Sequence, residues 1–141
     1  MQFDPNNHVV KLCARGMIME GSGDLQAARN LFLQAWNEAT NDFEKFIAAH
    51  YLARHQDSVS DKLKWDETAL QFALKINNDE VKSSLPSLYL NIAKCYEELN
   101  DFDKAEKNYE SALSFAHLLP GDGYGNMIKG GIAAGIKRIV K

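Results

Sequence analysis

The sequence predicts an all-α protein built from antiparallel helix hairpins, and three observations support this prediction. Apolar residues recur at steps of three and four along most of the 141-residue chain, which is the period of an amphipathic helix. Turn-forming segments such as 21–24 and 99–102 separate these stretches into pairs of helical length. No segment alternates apolar and polar residues with the period of two that marks a strand, so we expect no sheet.

The clearest hairpin lies between Ser87 and His117, with a turn at 99–102. The apolar stripe of its first helix consists of Leu85, Leu88, Tyr89, Ile92, Ala93, Tyr96 and Leu99. The stripe of its second helix consists of Phe102, Ala105, Tyr109, Ala112, Leu113 and Ala116. Because tyrosines on one helix face alanines on the other, the two helices are expected to interlock closely. This arrangement predicts that Tyr96 and Tyr109 are mostly buried.

A first hairpin is predicted at about residues 5–40. Asp4 is expected to cap its first helix, with Pro5 at the first helical position. After the turn at 21–24, the second helix repeats the apolar spacing of the clearest hairpin, at Leu25, Ala28, Phe32, Ala35 and Trp36.

The middle hairpin, at about residues 41–78, is irregular. Asn41 followed by Glu44 resembles a capping box, and Ser60 or Asp61 is expected to cap the next helix.

The last predicted element is a capping segment at about 122–140, in which the helix itself runs from about Tyr124 to Val140. Its apolar side carries Tyr124, Ile128, Ile132, Ile136 and Ile139. Gly131 and Gly135 lie among them, and each glycine inside a helix costs ~1 kcal/mol relative to alanine. A close approach to the preceding hairpin would offset this cost. We therefore expect this helix to cap the open end of that hairpin.

The hairpin at about 84–119 resembles the tetratricopeptide repeat. The residues that match the pattern of this family are Tyr89, Ile92, Ala93, Tyr96, the turn-side aromatic Phe102, Ala105, Tyr109, Ala112 and Leu113. Asn100 stands where the family has a turn glycine, and Arg15 in the first hairpin departs from the pattern at a usually apolar position. The resemblance implies a right-handed superhelix of about three hairpins plus a capping helix, in a single domain over residues 1–141.

Ala28 and Ala105 occupy equivalent positions of this pattern and lie 77 residues apart. Two repeats of ~34 residues would separate them by ~68. The middle hairpin is therefore too long for a regular repeat, and we place the excess at 56–60 and 77–84.

Composition and charge argue against several classes of protein. The net charge of −3 gives no basic surface for nucleic acid. No apolar run approaches the ~18 residues of a membrane span, and the first residues resemble no secretory signal. Cys13 and Cys95 are expected to be reduced packing residues, which favours a cytoplasmic protein.

The residue types that usually carry catalysis form no recognisable motif. His50 and His55 are five residues apart, whereas zinc-binding helices place their histidines four apart. The glycine-rich tail lacks the third glycine and the lysine of phosphate-binding loops, and no predicted strand precedes it. We therefore expect no catalytic residue, no metal and no cofactor.

The resemblance further implies that the first helix of each hairpin lines a concave groove. The residues at the groove positions are Cys13, Met17, Glu20, Ile47, His50, Arg54, Leu90, Asn91, Lys94, Glu97 and Glu98. Asn91 stands where some members of the family hold the terminal carboxylate of a peptide. Only Lys94 and Arg54 resemble the cations that complete such a clamp.

Three functions follow from this reading. The favoured one is a non-catalytic adaptor that binds a peptide or a protein segment in the groove. The alternative is a structural protein that forms homo-oligomers, for example through its last helix. A small enzyme without a recognisable motif is the third, and neither nucleic acid nor a membrane is expected as a partner.

Overall fold

The computed structural model describes residues 4–139, and this part of the chain contains helices and turns but no strand. The helices are α1 (His8–Gly21), α2 (Leu25–Glu38), α3 (Asp42–Ala53), α4 (Val59–Ala73), α5 (Asp79–Lys82), α6 (Leu85–Glu98), α7 (Phe102–Ser114) and α8 (Gly123–Ile139). A 3₁₀ turn at Ala116–Leu118 follows α7. The prediction of an all-α fold made of paired helices is confirmed.

The chain forms two compact units, one ending at Ile76 and the other beginning at Asn77. In the first unit α1 pairs with α2 and α3 pairs with α4, while α3 also packs on α1 and α2. In the second unit α6 pairs with α7, and α8 packs on both. A single domain and a right-handed superhelix remain predictions.

The first helix begins later than predicted. Asn7 is its cap, because the Asn7 side-chain oxygen accepts a hydrogen bond from the Val10 amide at 3.0 Å. Asp4 instead forms a preceding turn, in which its carboxylate accepts from the Asn6 amide at 2.9 Å. The predicted Asp4 cap is therefore wrong, since the aspartate satisfies amides of this turn rather than those of the helix.

The third helix begins as predicted, but the capping box is displaced by one residue. Asn41 accepts a hydrogen bond from the Glu44 amide at 2.8 Å. The Glu44 carboxylate reaches past Asn41 and accepts from the Thr40 amide at 2.9 Å. It also accepts from the Asn7 side-chain amide at 2.9 Å, which connects the beginnings of α1 and α3.

Two further boundaries in the middle of the chain differ from the sequence prediction. The cap of α4 is Ser58, whose hydroxyl accepts from the Asp61 amide at 3.0 Å, so neither Ser60 nor Asp61 caps this helix. The helix ends at Ala73, and the short helix α5 occupies part of the segment predicted as a turn. Asn78 caps α5 through the amides of Glu80 and Val81.

One aromatic residue fills the centre of the α1–α2 hairpin and another that of the α6–α7 hairpin. Phe32 and Tyr109 are fully buried, together with Ala28 and Ala105. Tyr96 is partly buried and packs against the cluster that contains Tyr109 and Ala105.

The apolar stripes of α6 and α7 are also narrower than the sequence suggests. Leu99, Phe102 and Leu113 are exposed, the first two because they lie at the helix ends beside the turn. Asn100 in this turn has a φ of 62°, the left-handed conformation for which asparagine was predicted to replace glycine.

The last helix, α8, packs closely on the preceding hairpin at its glycines, as was predicted from the sequence. A Cβ atom on Gly135 would lie 2.2 Å from the Tyr109 ring, and one on Gly131 would lie 3.1 Å from Leu90. Tyr124 is exposed rather than part of the apolar side. The predicted end of the helix at Val140 lies outside the described residues. Within the range 4–139, no helix combines the length and the apolar character of a membrane span.

Candidate functional site

A hollow of about 430 Å³ lies between α1 and α3, inside the first unit. Its lining residues are Pro5, Val10, Lys11, Cys13, Ala14, Met17, Phe46, Ile47, His50 and Tyr51. We call this feature the α1–α3 hollow. Its volume falls in the range of sites that hold a small ligand or a segment of a partner.

The periodicity of the two helices explains how the hollow forms. Val10, Ala14 and Met17 recur at steps of four and three on α1, on a face beside the buried positions Val9, Leu12 and Gly16. Phe46, Ile47, His50 and Tyr51 follow the same period on α3. The lining is mainly apolar, and Met17 is 46% exposed at its mouth.

His50 places a polar atom in this apolar lining. The residue is partly buried, and its ring packs near Phe46 and Tyr51, with centroids 6.4 and 5.3 Å away. The Nδ1 atom is shielded from solvent and has no hydrogen-bond partner. Burial, followed by the positive charges of Arg54 and Lys62, lowers the pKa of His50 to about 4. The imidazole is therefore neutral at neutral pH, with an unsatisfied nitrogen.

The thiol of Cys13 also lines the hollow, but it is a weak nucleophile. Burial raises the pKa of this thiol from 9.0 to about 12. At neutral pH the residue is therefore protonated, and only the thiolate is a strong nucleophile. Cys13 acts here as a small apolar side chain.

One helical turn beyond Met17 and His50, a set of polar residues joins α1 to the end of α3. Arg54 donates to the Glu20 carboxylate at 2.5 Å, and the His55 ring nitrogen lies 2.6 Å from the other Glu20 oxygen. The Arg54 guanidinium also lies over the Tyr51 ring, at 4.8 Å from its centroid. The predicted groove residues Glu20 and Arg54 therefore come together, but they bind each other.

The groove residues predicted on α6 lie in the second unit. Leu90, which was predicted at a groove position, is buried in a core cluster with Ile128 and Ile132 of α8. Glu97 accepts two hydrogen bonds from Arg138 at 2.9 and 3.1 Å. The remaining predicted residues are the partly buried Asn91 and the exposed Lys94 and Glu98.

The structure thus brings Met17 and His50 together with Cys13 and Ile47 in the α1–α3 hollow. The sequence reading missed Val10, Lys11, Ala14 and Tyr51 as lining residues. The helical spacing of Val10, Ala14 and Met17 was the available signal, because apolar residues beside a complete core stripe mark a second apolar face. Among the residues that the structure describes, no three His, Cys, Asp or Glu side chains are placed to hold a metal ion.

Comparison with known proteins agrees with this architecture. The tetratricopeptide repeat model matches residues 86–116, which span α6, α7, the turn between them and the start of the following 3₁₀ turn. The chain matches no curated protein in sequence. Its fold is similar to the crystal structure of PcrH from Pseudomonas aeruginosa, with a TM-score of 0.59 and 18% identity. That similarity covers 99% of this chain and 97% of PcrH.

The repeat match assigns α6 and α7 to a known sequence family, and the similarity to PcrH extends the likeness in fold over nearly the whole chain. The resemblance of α6 and α7 to the tetratricopeptide repeat is therefore confirmed over residues 86–116, and the chain as a whole has a fold similar to that of PcrH.

Proposed function

We propose that this chain is a non-catalytic protein-interaction module that binds a peptide or a protein segment on the first helices of its hairpins. The observation that carries the proposal is the α1–α3 hollow, an apolar recess that opens beside the exposed side chain of Met17. A rigid pair of helices fixes its lining residues in place, which lowers the ordering cost of binding. The repeat at 86–116 supports the proposal, because hairpins of this kind present extended binding surfaces.

The chemistry of the hollow also favours binding over catalysis. Cys13 is held as a thiol and His50 as a neutral imidazole. Acid–base catalysis needs a group poised near the working pH with a partner that orients it. The Nδ1 atom of His50 has no such partner, and its pKa lies well below neutrality.

The predicted groove residues of the second unit belong to the same proposal. Asn91, Lys94 and Glu98 lie on α6, the first helix of the matched repeat, and they would contact a further part of the partner. Their side chains carry both signs of charge, which suits a peptide rather than nucleic acid. The cytoplasm is the proposed compartment, since Cys13 and Cys95 are both buried and form no disulfide.

Comparative capture with two variants tests the proposed function. The immobilised full chain is exposed to a lysate of the source cells, and bound proteins are compared between Met17→Asp and Ile18→Asp. Met17 lines the hollow, whereas its exposed neighbour Ile18 does not, so both variants add the same charge to α1. We expect Met17→Asp to lose specific partners that Ile18→Asp and the wild type retain. Equal recovery by all three folded proteins would contradict the proposal.

Self-association is the second candidate, and one observation favours it. Tyr124 and Met127 on α8 are 46% and 66% exposed, so this helix presents apolar side chains to solvent. Sedimentation velocity on the wild type and on Met127→Asp separates the candidates. A dimer that the substitution dissociates would support self-association, whereas a monomer at all concentrations would exclude it.

A further inference from the structure

The α1–α3 hollow has three properties that together restrict what it can bind: a single charge in its lining, an unsatisfied nitrogen and an apolar interior. The inference below rests on the proposed function, because it describes the chemistry of the segment that the module would bind.

The first property is charge. Lys11 is exposed, and among the residues at 4–139 it is the only charged one that lines the hollow. Among the residues described by the structure, none forms an ion pair with Lys11. The nearby Arg54 and Glu20 neutralise each other. A ligand therefore meets a net positive charge at this mouth, which complements a carboxylate.

The second property is the Nδ1 atom of His50. A shielded polar atom without a hydrogen bond costs free energy, and a partner that supplies the bond regains it. A neutral imidazole nitrogen either donates or accepts, depending on its tautomer. A peptide backbone offers both an N–H and a C=O group, so it satisfies this atom in either case.

The third property is the open apolar interior. A hairpin of this type can also pack without such a recess, as the second unit shows at Leu90. Gly131 allows α8 to approach Leu90 closely in the second unit. Leu90 and Cys13 are 77 residues apart, the offset that relates equivalent positions of the two hairpins. In the first unit the smaller Cys13 occupies this position beside the hollow. The recess thus lies beside Cys13 in the first unit, whereas α8 covers the equivalent Leu90 in the second unit.

We infer that the α1–α3 hollow binds a peptide segment with an aliphatic side chain next to a carboxylate. The aliphatic side chain enters the hollow beside Met17, and the carboxylate pairs with Lys11. The Nδ1 atom of His50 forms a hydrogen bond with the backbone of the segment.

Selection from a display library of random 12-residue peptides on the immobilised full chain tests this inference. We expect enriched peptides to carry Asp or Glu within about three residues of Leu, Ile or Met. The enriched peptides are then synthesised, and their affinities are measured by fluorescence anisotropy.

Lys11→Glu and Arg15→Glu form a matched pair for the charge, because they lie one turn apart on α1 and only Lys11 lines the hollow. We expect Lys11→Glu to weaken binding about fivefold or more, and Arg15→Glu to weaken it less than about twofold. Equal effects of the two variants, or enriched peptides without acidic residues, would overturn the role of Lys11.

His50→Phe tests the hydrogen bond while keeping a ring in place. We expect peptide affinity to fall about three- to tenfold, while the melting temperature of the free protein rises by a few degrees. A residue with only a structural role would not move these two quantities in opposite directions. His50→Asn keeps a polar group near the position of Nδ1 and should retain more of the affinity, and His50→Leu replaces His50→Phe if the latter fails to fold.

Two negative results have different meanings. Peptides that bind normally to the folded His50→Phe and Lys11→Glu variants would overturn this inference but leave the proposed function intact. If no peptide is enriched, or if binding is insensitive to Met17→Asp, the proposed function fails together with the inference.

Discussion

The first and second units each place a glycine against the aromatic ring at the centre of a hairpin, but the glycine lies on a different helix in each unit. In the first unit the glycine lies inside the hairpin, since a Cβ atom on Gly16 of α1 would come within 2.4 Å of the Phe32 ring. In the second unit α6 has Ala93 at the equivalent position, and the glycine is Gly135 on the packed helix α8, against Tyr109. Where the glycine lies determines which helix can approach the ring closely.

Each unit also contains an ion pair in which the glutamate, Glu20 or Glu97, occupies the same position of the hairpin. Glu20 binds Arg54 at the end of α3, and Glu97 binds Arg138 near the end of α8. Three residues before each arginine stands the residue that contacts the central ring, Tyr51 in one unit and Gly135 in the other. Tyr51 stacks on Phe32 with ring centroids 5.1 Å apart.

The size of the residue that contacts the central ring, Tyr51 in the first unit and Gly135 in the second, therefore helps to determine whether a recess remains beside the hairpin. Tyr51 keeps α3 at the distance of a stacked ring and forms part of the wall of the α1–α3 hollow. Gly135 and Gly131 let α8 lie directly on Tyr109 and Leu90. The same hairpin design thus leaves an open recess in one unit, whereas α8 covers the equivalent position in the other.

The largest expected effects concern the two central rings. Phe32→Ala and Tyr109→Ala should each lower the free energy of unfolding by about 3–5 kcal/mol, because both side chains are fully buried. Chemical denaturation monitored by circular dichroism measures both values. The exposed Phe102 provides a control, and Phe102→Ala should cost well under 1 kcal/mol. Clearly unequal losses for Phe32→Ala and Tyr109→Ala would contradict the equivalence of the two rings, and a similar loss for Phe102→Ala would show that burial does not set the size of the effect.

The pH dependence of stability should differ between the wild type and His50→Phe. The pKa of His50 is lowered from 6.5 to about 4 in the folded chain, so the unfolded chain binds more protons between these values. The stability due to neutral His50 is complete above pH 6.5 and is lost as the pH falls to about 4.

We expect this loss to be on the order of 1–3 kcal/mol, and to be absent from His50→Phe. Hydrogen bonds from Arg138 and Tyr109 lower the pKa of Glu97, as those from Thr40 and Asn7 lower the pKa of Glu44. These carboxylates destabilise both proteins at low pH, so the difference between the two unfolding curves isolates His50. Parallel curves from pH 7 to pH 4 would show that its imidazole is solvated.

The position of the glycines gives a third test. Gly16→Ala and Gly135→Ala should each destabilise the protein by about 1–3 kcal/mol, because the added methyl group meets the Phe32 or Tyr109 ring. Gly130→Ala is the matched control, since a Cβ atom there has open space on the same helix as Gly135. It should stabilise α8 by up to ~1 kcal/mol. Thermal unfolding should therefore shift in opposite directions for two alanine substitutions five residues apart.

The smallest effect belongs to the ion pairs. Double-mutant cycles on Glu20 with Arg54, and on Glu97 with Arg138, should give coupling energies of about 0.5–1 kcal/mol, because the arginine side chains are 44% and 50% exposed. The second pair should be the stronger, since Arg138 donates two hydrogen bonds to the Glu97 carboxylate. A coupling energy that does not fall in high salt would argue against an electrostatic origin.

Most of the fold followed from local signals in the sequence, because hairpin packing depends on residues three and four positions apart. The positions of Ala28, Phe32, Ala105 and Tyr109 in the core could be predicted from spacing alone. Caps were less predictable, since Asp4 and Asn7 both suit the role and only the three-dimensional position of Glu44 favours Asn7. Competing side chains of this kind differ by too little free energy for a local rule to decide.

The candidate site was less predictable than the fold. Leu90 and Cys13 hold the same position of the repeat, yet one is covered by α8 and the other lines a recess. The difference arises on another helix, where Gly131 and Gly135 stand, so it depends on contacts between residues that are distant in the chain. The ion pair between Arg54 and Glu20 was unpredictable for the same reason, since the two residues lie 34 positions apart in the chain.

The Glu44 carboxylate has a consequence for how the first unit opens. It accepts hydrogen bonds from Thr40 before α3 and from Asn7, the cap of α1. Helix ends normally fray independently and exchange their amide protons quickly. Here the release of one end removes a bond from the other, so the first turns of α1 and α3 should open as one cooperative unit. The amides of Val10 and Glu44 would then show the same free energy of opening in hydrogen exchange, although they lie 34 residues apart in the chain.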